Sequence, residues 1–322
     1  MITLTGKRVS EGIVIGRLVF FNRGEREIRK IYVEDAEKEL VRFQKARKRA
    51  ASELQELYDE SAGELGEANA MIFEMQQMVL EDEEFINPVI RTITEQKLNA
   101  EYAVKVSIEN FLKVFSSRAE SYVRGHEADI HDVAARVLRI LSRSRKDRMF
   151  MDEPFIMAAR DLYPSEAVRL DKSKVLGFVT MYGSINSHTA VLARTKGIPS
   201  VIGIGEALKK DYEGKMVIID GFDGKLYIEP DQTTMEKMKE KKKQNLQKVE
   251  TLERLKGKEN ITQSGQKIDV CANIGNREDI EKVLRNDANG IGLFRSEFLY
   301  MESGGRMPTE EQQFKTYKLA AE

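Results

Sequence analysis

One histidine, His188, stands at the junction of a small polar run and an apolar helical stretch, in "GSINSHTAVLARTKGIPSVIG" (residues 183–203). Asn186 or Ser187 suits the N-cap of a helix that continues through "HTAVLART", which places His188 in the first helical turn. Unpaired backbone N–H groups and the positive end of the helix dipole favour an anion at that place. A phosphoryl group on the imidazole would be received by those N–H groups and by the hydroxyls of Ser184, Ser187 and Thr189. The same dipole disfavours imidazolium, which leaves a neutral ring nitrogen able to attack phosphorus. Position alone fits a surface or capping histidine equally well. No second His or Cys and no acidic cluster lies nearby in sequence, which argues against a metal site or a serine-type triad.

The elements that position this residue follow from texture. Residues 8–21, "RVSEGIVIGRLVFF", read as one or two short strands. From Val33, Ala36, Leu40, Phe43, Ala50, Leu54 and Leu57 recur at helical spacing, and "SAGELG" is expected to stop that helix. A second helix carries Met71, Ile72, Met75, Met78 and Val79 on one face and runs into "EDEE" at 81–84. Pro88 suits the first turn of the next helix, Asn99 the N-cap of a long one, and Ile130, Val133, Val137 and Leu141 stripe another. Short apolar runs, "FIMAA", "VLGFVTM", "PSVIG" and "MVIID", then alternate with helical stretches between 150 and 220, the pattern of a mixed α/β domain. The opening strands lack partners inside the helical stretch, so they are expected to join that sheet. Residues 232–258 read as an exposed connecting helix, followed by two βα units, too few to close a barrel.

Composition narrows the chemistry. Lys and Arg number 52 against 53 Asp and Glu, a net charge of −1, which argues against nucleic acid or an anionic membrane as the main partner. The N-terminus lacks the apolar core of a signal peptide and no run of about eighteen apolar residues occurs. Cytoplasmic localisation is expected. The single cysteine, Cys271, excludes an internal disulfide and a cysteine-rich zinc site.

Several segments in order, "SHTAVLARTKGIPSVIG", "ADIHDVAARVLRIL", "PSEAVRLDKSKVLGFVT", "CANIGNREDIEKVLRNDANGIGLFRSEFLYM" and "PTEEQQF", resemble those of Enzyme I of the sugar phosphotransferase system, the phosphoenolpyruvate-protein phosphotransferase family. The resemblance covers nearly the whole chain. It implies a swivelling phosphohistidine α/β domain (1–25 and 146–230), an inserted helical bundle that binds the carrier HPr (26–145), a linker helix (231–260) and the start of a TIM-type (β/α) barrel that binds phosphoenolpyruvate (261–322). His188 matches the histidine that takes the phosphoryl group and passes it to HPr in sugar uptake. Arg295, in "LFRSEF", matches an arginine that grips the substrate phosphate. Asp129 matches a carboxylate near the histidine, and Glu67, Glu83 and Glu84 fall where HPr docks, their charge suited to a basic carrier.

The resemblance also implies Mg²⁺, with ligands beyond residue 322, and a homodimer through the absent part of the barrel. Alone, these residues are expected only to exchange phosphate with the carrier. Two departures stand out: Ser184, Ile185 and Asn186 replace the family's Gly, Arg and Thr, and Tyr163 replaces a threonine. They leave open a non-catalytic or regulatory paralogue that binds a carrier without phosphoryl transfer. A pyruvate phosphate dikinase-like enzyme is a further alternative, although residues 1–150 show no Gly-rich phosphate loop.

Overall fold

A computed structural model of the chain describes residues 1–21, 23, 27–118, 127–142, 153–275, 279–296, 299 and 307–321. The expected domain boundaries at 25/26 and 145/146, and the end of the strand expected over "GIGLFRSEFLYM", lie outside the described residues. The chain divides into two compact units, Met1–Lys242 and Lys243–Glu322.

In the first unit the short β-rich runs form one eight-stranded sheet. The strands are β1 (Ile2–Thr5), β2 (Lys7–Ser10), β3 (Ile13–Phe20), β4 (Phe155–Ala159), β5 (Val175–Thr180), β6 (Ser200–Ile202), β7 (Met216–Asp220) and β8 (Lys225–Ile228). Their order is β1-β8-β7-β3-β4-β5-β6-β2, so β1 and β2 occupy opposite edges although Gly6 alone separates them. The sheet therefore curls until its edges meet at Gly6. Gly6 N–H donates to Gly224 O at 2.9 Å, and a Cβ at Gly6 would fall 2.6 Å from Ile202 O. Only glycine permits that approach. β3, β4, β5 and β6 run parallel, and the remaining pairings are antiparallel.

Every residue of β4 is buried, which explains its unbroken apolar sequence: Ile156 and Ala158 face the inside of the curled sheet with Leu18, Val179, Val201, Val217 and Ile219. Phe155 and Met157 face the other way, into a cluster shared with Phe178, Ala190, Leu192 and the helices that follow β3. Two short helices lie in that layer, α6 (Pro164–Val168) and α7 (His188–Lys196).

Between β3 and β4 stand α1 (Ala36–Leu65), α2 (Glu67–Glu81), α3 (Glu83–Thr94), α4 (Ala100–Arg118) and α5 (Glu127–Leu141). Asp35 caps α1 by accepting from Lys38 N–H at 2.9 Å, and Phe43, Ala50, Leu54 and Leu57 form its buried stripe. As expected, "SAGELG" stops the helix, at its last residue: Ser61 is still helical and buried, and α1, packed along α2, runs to Leu65. Gly66, at φ +87°, ends it. Pro88 lies in the second turn of α3, not the first: Asp82 caps the helix through Glu84 N–H, and burial of Phe85, Ile86, Val89 and Ile93 offsets the hydrogen bond that Pro88 cannot donate. On α2 the buried face is Ile72, Phe73, Gln76 and Leu80, whereas Met75 and Met78 are 43% and 62% exposed. The apolar face read from the sequence is thus split between core and surface.

α8 (Gln232–Glu253) leaves the sheet with Lys241 paired to the buried Asp220 at 2.7 Å. In the second unit β9 (Cys271–Ile274) and β10 (Gly290–Phe294) pair in parallel, with α9 (Asp279–Arg285) between them and α10 (Glu310–Ala321) after.

Candidate active site around His188

The strand β5 ends into a loop that Gly183, at φ +126°, turns toward α7. Ser187 is the N-cap: its Oγ accepts from Ala190 N–H at 3.3 Å and donates to Ser184 O at 2.8 Å. Arg194, further along α7, donates to Ile185 O at 3.0 Å. His188 thus opens α7 on a loop tied at both ends. Its Nδ1 lies 2.8 Å from Oδ2 of Asp129, in the first turn of α5, with the His188 side chain 28% exposed and that of Asp129 9%. A carboxylate only accepts, so Nδ1 carries the proton and Nε2 the lone pair.

Two of the hydroxyls expected around a phosphoryl group have another task. The Thr189 hydroxyl is buried and donates to Leu162 O at 2.7 Å, and the Ser187 hydroxyl proton goes to Ser184 O. Both build the loop. Ser184 Oγ accepts from Asn186 N–H at 3.3 Å.

A cluster that no periodicity announced lies beside this loop. Arg23 forks onto Glu166, at 2.6 and 2.7 Å, donates to Asp161 O at 2.7 Å and stacks over the Tyr163 ring at 3.5 Å from its centroid. Tyr163 is therefore the platform for an arginine. Burial raises the Asp161 carboxyl above the usual range; its bond from Leu162 N–H and the charges of Arg23 and His131 oppose this, and that of Asp129 adds to it. Burial likewise raises Glu166 against the pull of Arg23.

The acidic residues do not form one cluster. Glu83 and Glu84 open α3, while Glu67 opens α2, so fifteen residues of helix separate them, about 22 Å at 1.5 Å per residue. All three are exposed. In the second unit Arg295 follows β10, exposed, with its backbone N–H on Ile274 O at 2.8 Å.

Three family descriptions match in chain order: the N-terminal part of PEP-utilising enzymes over residues 5–125, their mobile domain over 151–224 and their PEP-binding domain over 249–322. An NMR solution structure of Enzyme I (nEIt) is 32% identical with a TM-score of 0.59, covering 75% of this chain and 99% of that one. The chain belongs to the Enzyme I family. Phosphoenolpyruvate-protein phosphotransferases of Priestia megaterium and Bacillus subtilis (strain 168) are each 34% identical over 99% of this chain and 56% of their own length. The chain thus spans about half the length of these curated relatives. Within the Enzyme I frame, His188 falls in the mobile-domain match, Arg295 in the PEP-binding match and Glu67, Glu83 and Glu84 in the N-terminal match. Asp129 lies between the first two matched segments.

Proposed function

We propose that this chain is the phosphohistidine-bearing part of a phosphoenolpyruvate-protein phosphotransferase, with His188 Nε2 as the nucleophile. The observation that carries this reading is the 2.8 Å contact of His188 Nδ1 with the Asp129 carboxylate at the start of α7. It orients the ring, disfavours the unproductive tautomer and stabilises positive charge as the ring attacks. The Nε2 lone pair forms a bond to the phosphorus of phosphoenolpyruvate, the P–O bond breaks and the electron pair leaves with the enol oxygen. A nitrogen of an HPr-like carrier then attacks the same phosphorus, and the P–Nε2 bond breaks. Backbone N–H groups at the start of α7 support the negative oxygens in between.

The helices between β3 and β4 serve as a carrier-docking domain in this reading, with Glu83, Glu84 and the exposed Met75 and Met78 as its surface. Methionine suits such a surface because its flexible thioether adapts to a partner. Arg295 grips the phosphate of phosphoenolpyruvate through its planar fork, and residues 261–322 begin the barrel through which the longer protein pairs with a second copy. Mg²⁺ would neutralise charge on the substrate. Among the described residues no group of three or more His, Cys, Asp or Glu is arranged to hold it. Among the described residues no helix is long and apolar enough to cross a membrane, and we place the protein in the cytoplasm.

The test is phosphoryl exchange. Incubation with phosphorylated HPr should leave acid-labile label on the chain, and His188→Ala should carry none. Absence of label from several candidate carriers would favour a binding role without transfer.

A further inference from the structure

Asp129 does not meet His188 unaided. One turn along α5, Asp132 is 4% exposed and is held from two other elements, α6 and α2. Its Oδ1 accepts the Ser165 hydroxyl at 2.6 Å and its Oδ2 accepts the Ser165 backbone N–H at 2.9 Å, at the open start of α6. Gln76 of α2 donates through Nε2 both to Asp132 Oδ2 and to the backbone carbonyl of Asp129, each at 3.3 Å. Arg136, also 4% exposed, lies 3.8 Å from Asp132 Oδ1 and donates to Glu53 of α1 at 3.2 Å.

These contacts close a ring with the active histidine. Beyond Ser165, the chain at Leu162 offers its carbonyl to the hydroxyl of Thr189, the residue after His188. The circuit runs from His188 to Asp129, along one turn of α5 to Asp132, across to Ser165 and back through Leu162 to Thr189. A buried carboxylate is costly unless it is paired and hydrogen-bonded, so sliding α5 away from α6 would cost Asp132 both of its bonds from Ser165 in a dry site. The distance from Asp129 to His188 is thereby made stiff.

We infer that the Asp132–Ser165 pair is a positioning device that holds Asp129 against Nδ1 of His188 and so sets the ring's tautomer. This rests on the reading of His188 Nε2 as nucleophile, and deepens it. Asp132 and Ser165 are positioning residues: they act on phosphorus only through Asp129.

The test uses the whole chain and needs no phosphoryl donor. Nitrogen-15 histidine spectra, with His188 assigned by its loss in His188→Gln, should show a protonated Nδ1 and a bare Nε2. Asp129→Asn should abolish that pattern. Asp132→Asn and Ser165→Ala should shift His188 toward the Nε2-protonated form, with near-ultraviolet circular dichroism preserved. Exchange with phosphorylated carrier should fall about ten- to a hundredfold in kcat, by analogy with the loss when a partner that orients a metal-binding histidine is removed, with KM unchanged. If Asp132→Asn folds poorly, Ser165→Ala removes a single hydroxyl, leaves the backbone donor and decides the question. A wild-type tautomer in a folded Ser165→Ala protein would overturn the inference, as would a melting point that falls while the tautomer stays. Absence of label on the wild type with the Nδ1-protonated spectrum intact would instead count against the phosphotransfer reading alone.

Discussion

β4–β5 in the first unit and β9–β10 in the second are built alike, as parallel neighbours joined through a short helix, yet they differ in cover. β4 is buried along its full length, one face inside the curled sheet and the other under α6 and α7. In β9 and β10 the pattern is largely open, with Leu293 50% exposed and Ile274 buried. A parallel pair is secure only when both faces are covered. The cover has a chemical consequence, since His188 is held from several sides while Arg295 stands in solvent in its own unit.

His188→Ala should abolish labelling from phosphorylated carrier, whereas Arg295→Ala should leave that exchange at the wild-type rate. A matching loss in Arg295→Ala would show that the two regions do not divide the reaction. Next in size is packing: Phe178→Ala, at a fully buried position, should cost about 3–5 kcal/mol in urea unfolding. Leu293→Ala should stay within about 0.5 kcal/mol, and equal costs would refute the difference in cover.

The cover also carries a pH signature. Because burial raises Asp161 above its unfolded value, its contribution favours the fold at acid pH, below about 3.9, and is lost as pH rises through the folded value. Asp161→Asn removes that loss and keeps an acceptor for Leu162 N–H. Its melting point should gain on the wild type from acid toward neutral pH; a gap that stays flat or narrows would count against a desolvated carboxyl. The smallest effect belongs to the rim. Glu83→Gln with Glu84→Gln should slow carrier association a few-fold, less so in salt, while Glu67→Gln, at the far end of α2, should change nothing.

Much of the first unit was legible. The N-cap at Ser187 and the apolar run after it placed His188 at a helix start, and unpaired opening strands pointed to the sheet they join. What stayed hidden depends on contacts distant in sequence. Asp132 read as an unremarked polar residue beside an apolar stripe, because its partner Ser165 lies 33 residues away. Arg23 is 143 residues from Glu166. The position of Pro88 was misread for a related reason: a local breaker was overruled by burial of Phe85.

The meeting of β1 and β2 at Gly6 bears on how such a chain is made. Ile2 pairs with Ile228, so the first strand leaves the ribosome roughly 10–45 s before its partner at common synthesis rates of about 5–20 residues per second. Helices α1 to α5 can form in that interval from local contacts, while β1 and β2 wait as unpaired, β-prone segments. The sheet is then among the last parts to assemble, a slow step governed by long-range pairing. The loop that bears His188 matures only when the earliest and latest strands of the first unit find each other, and a nascent chain held in that interval is where chaperone demand should be greatest.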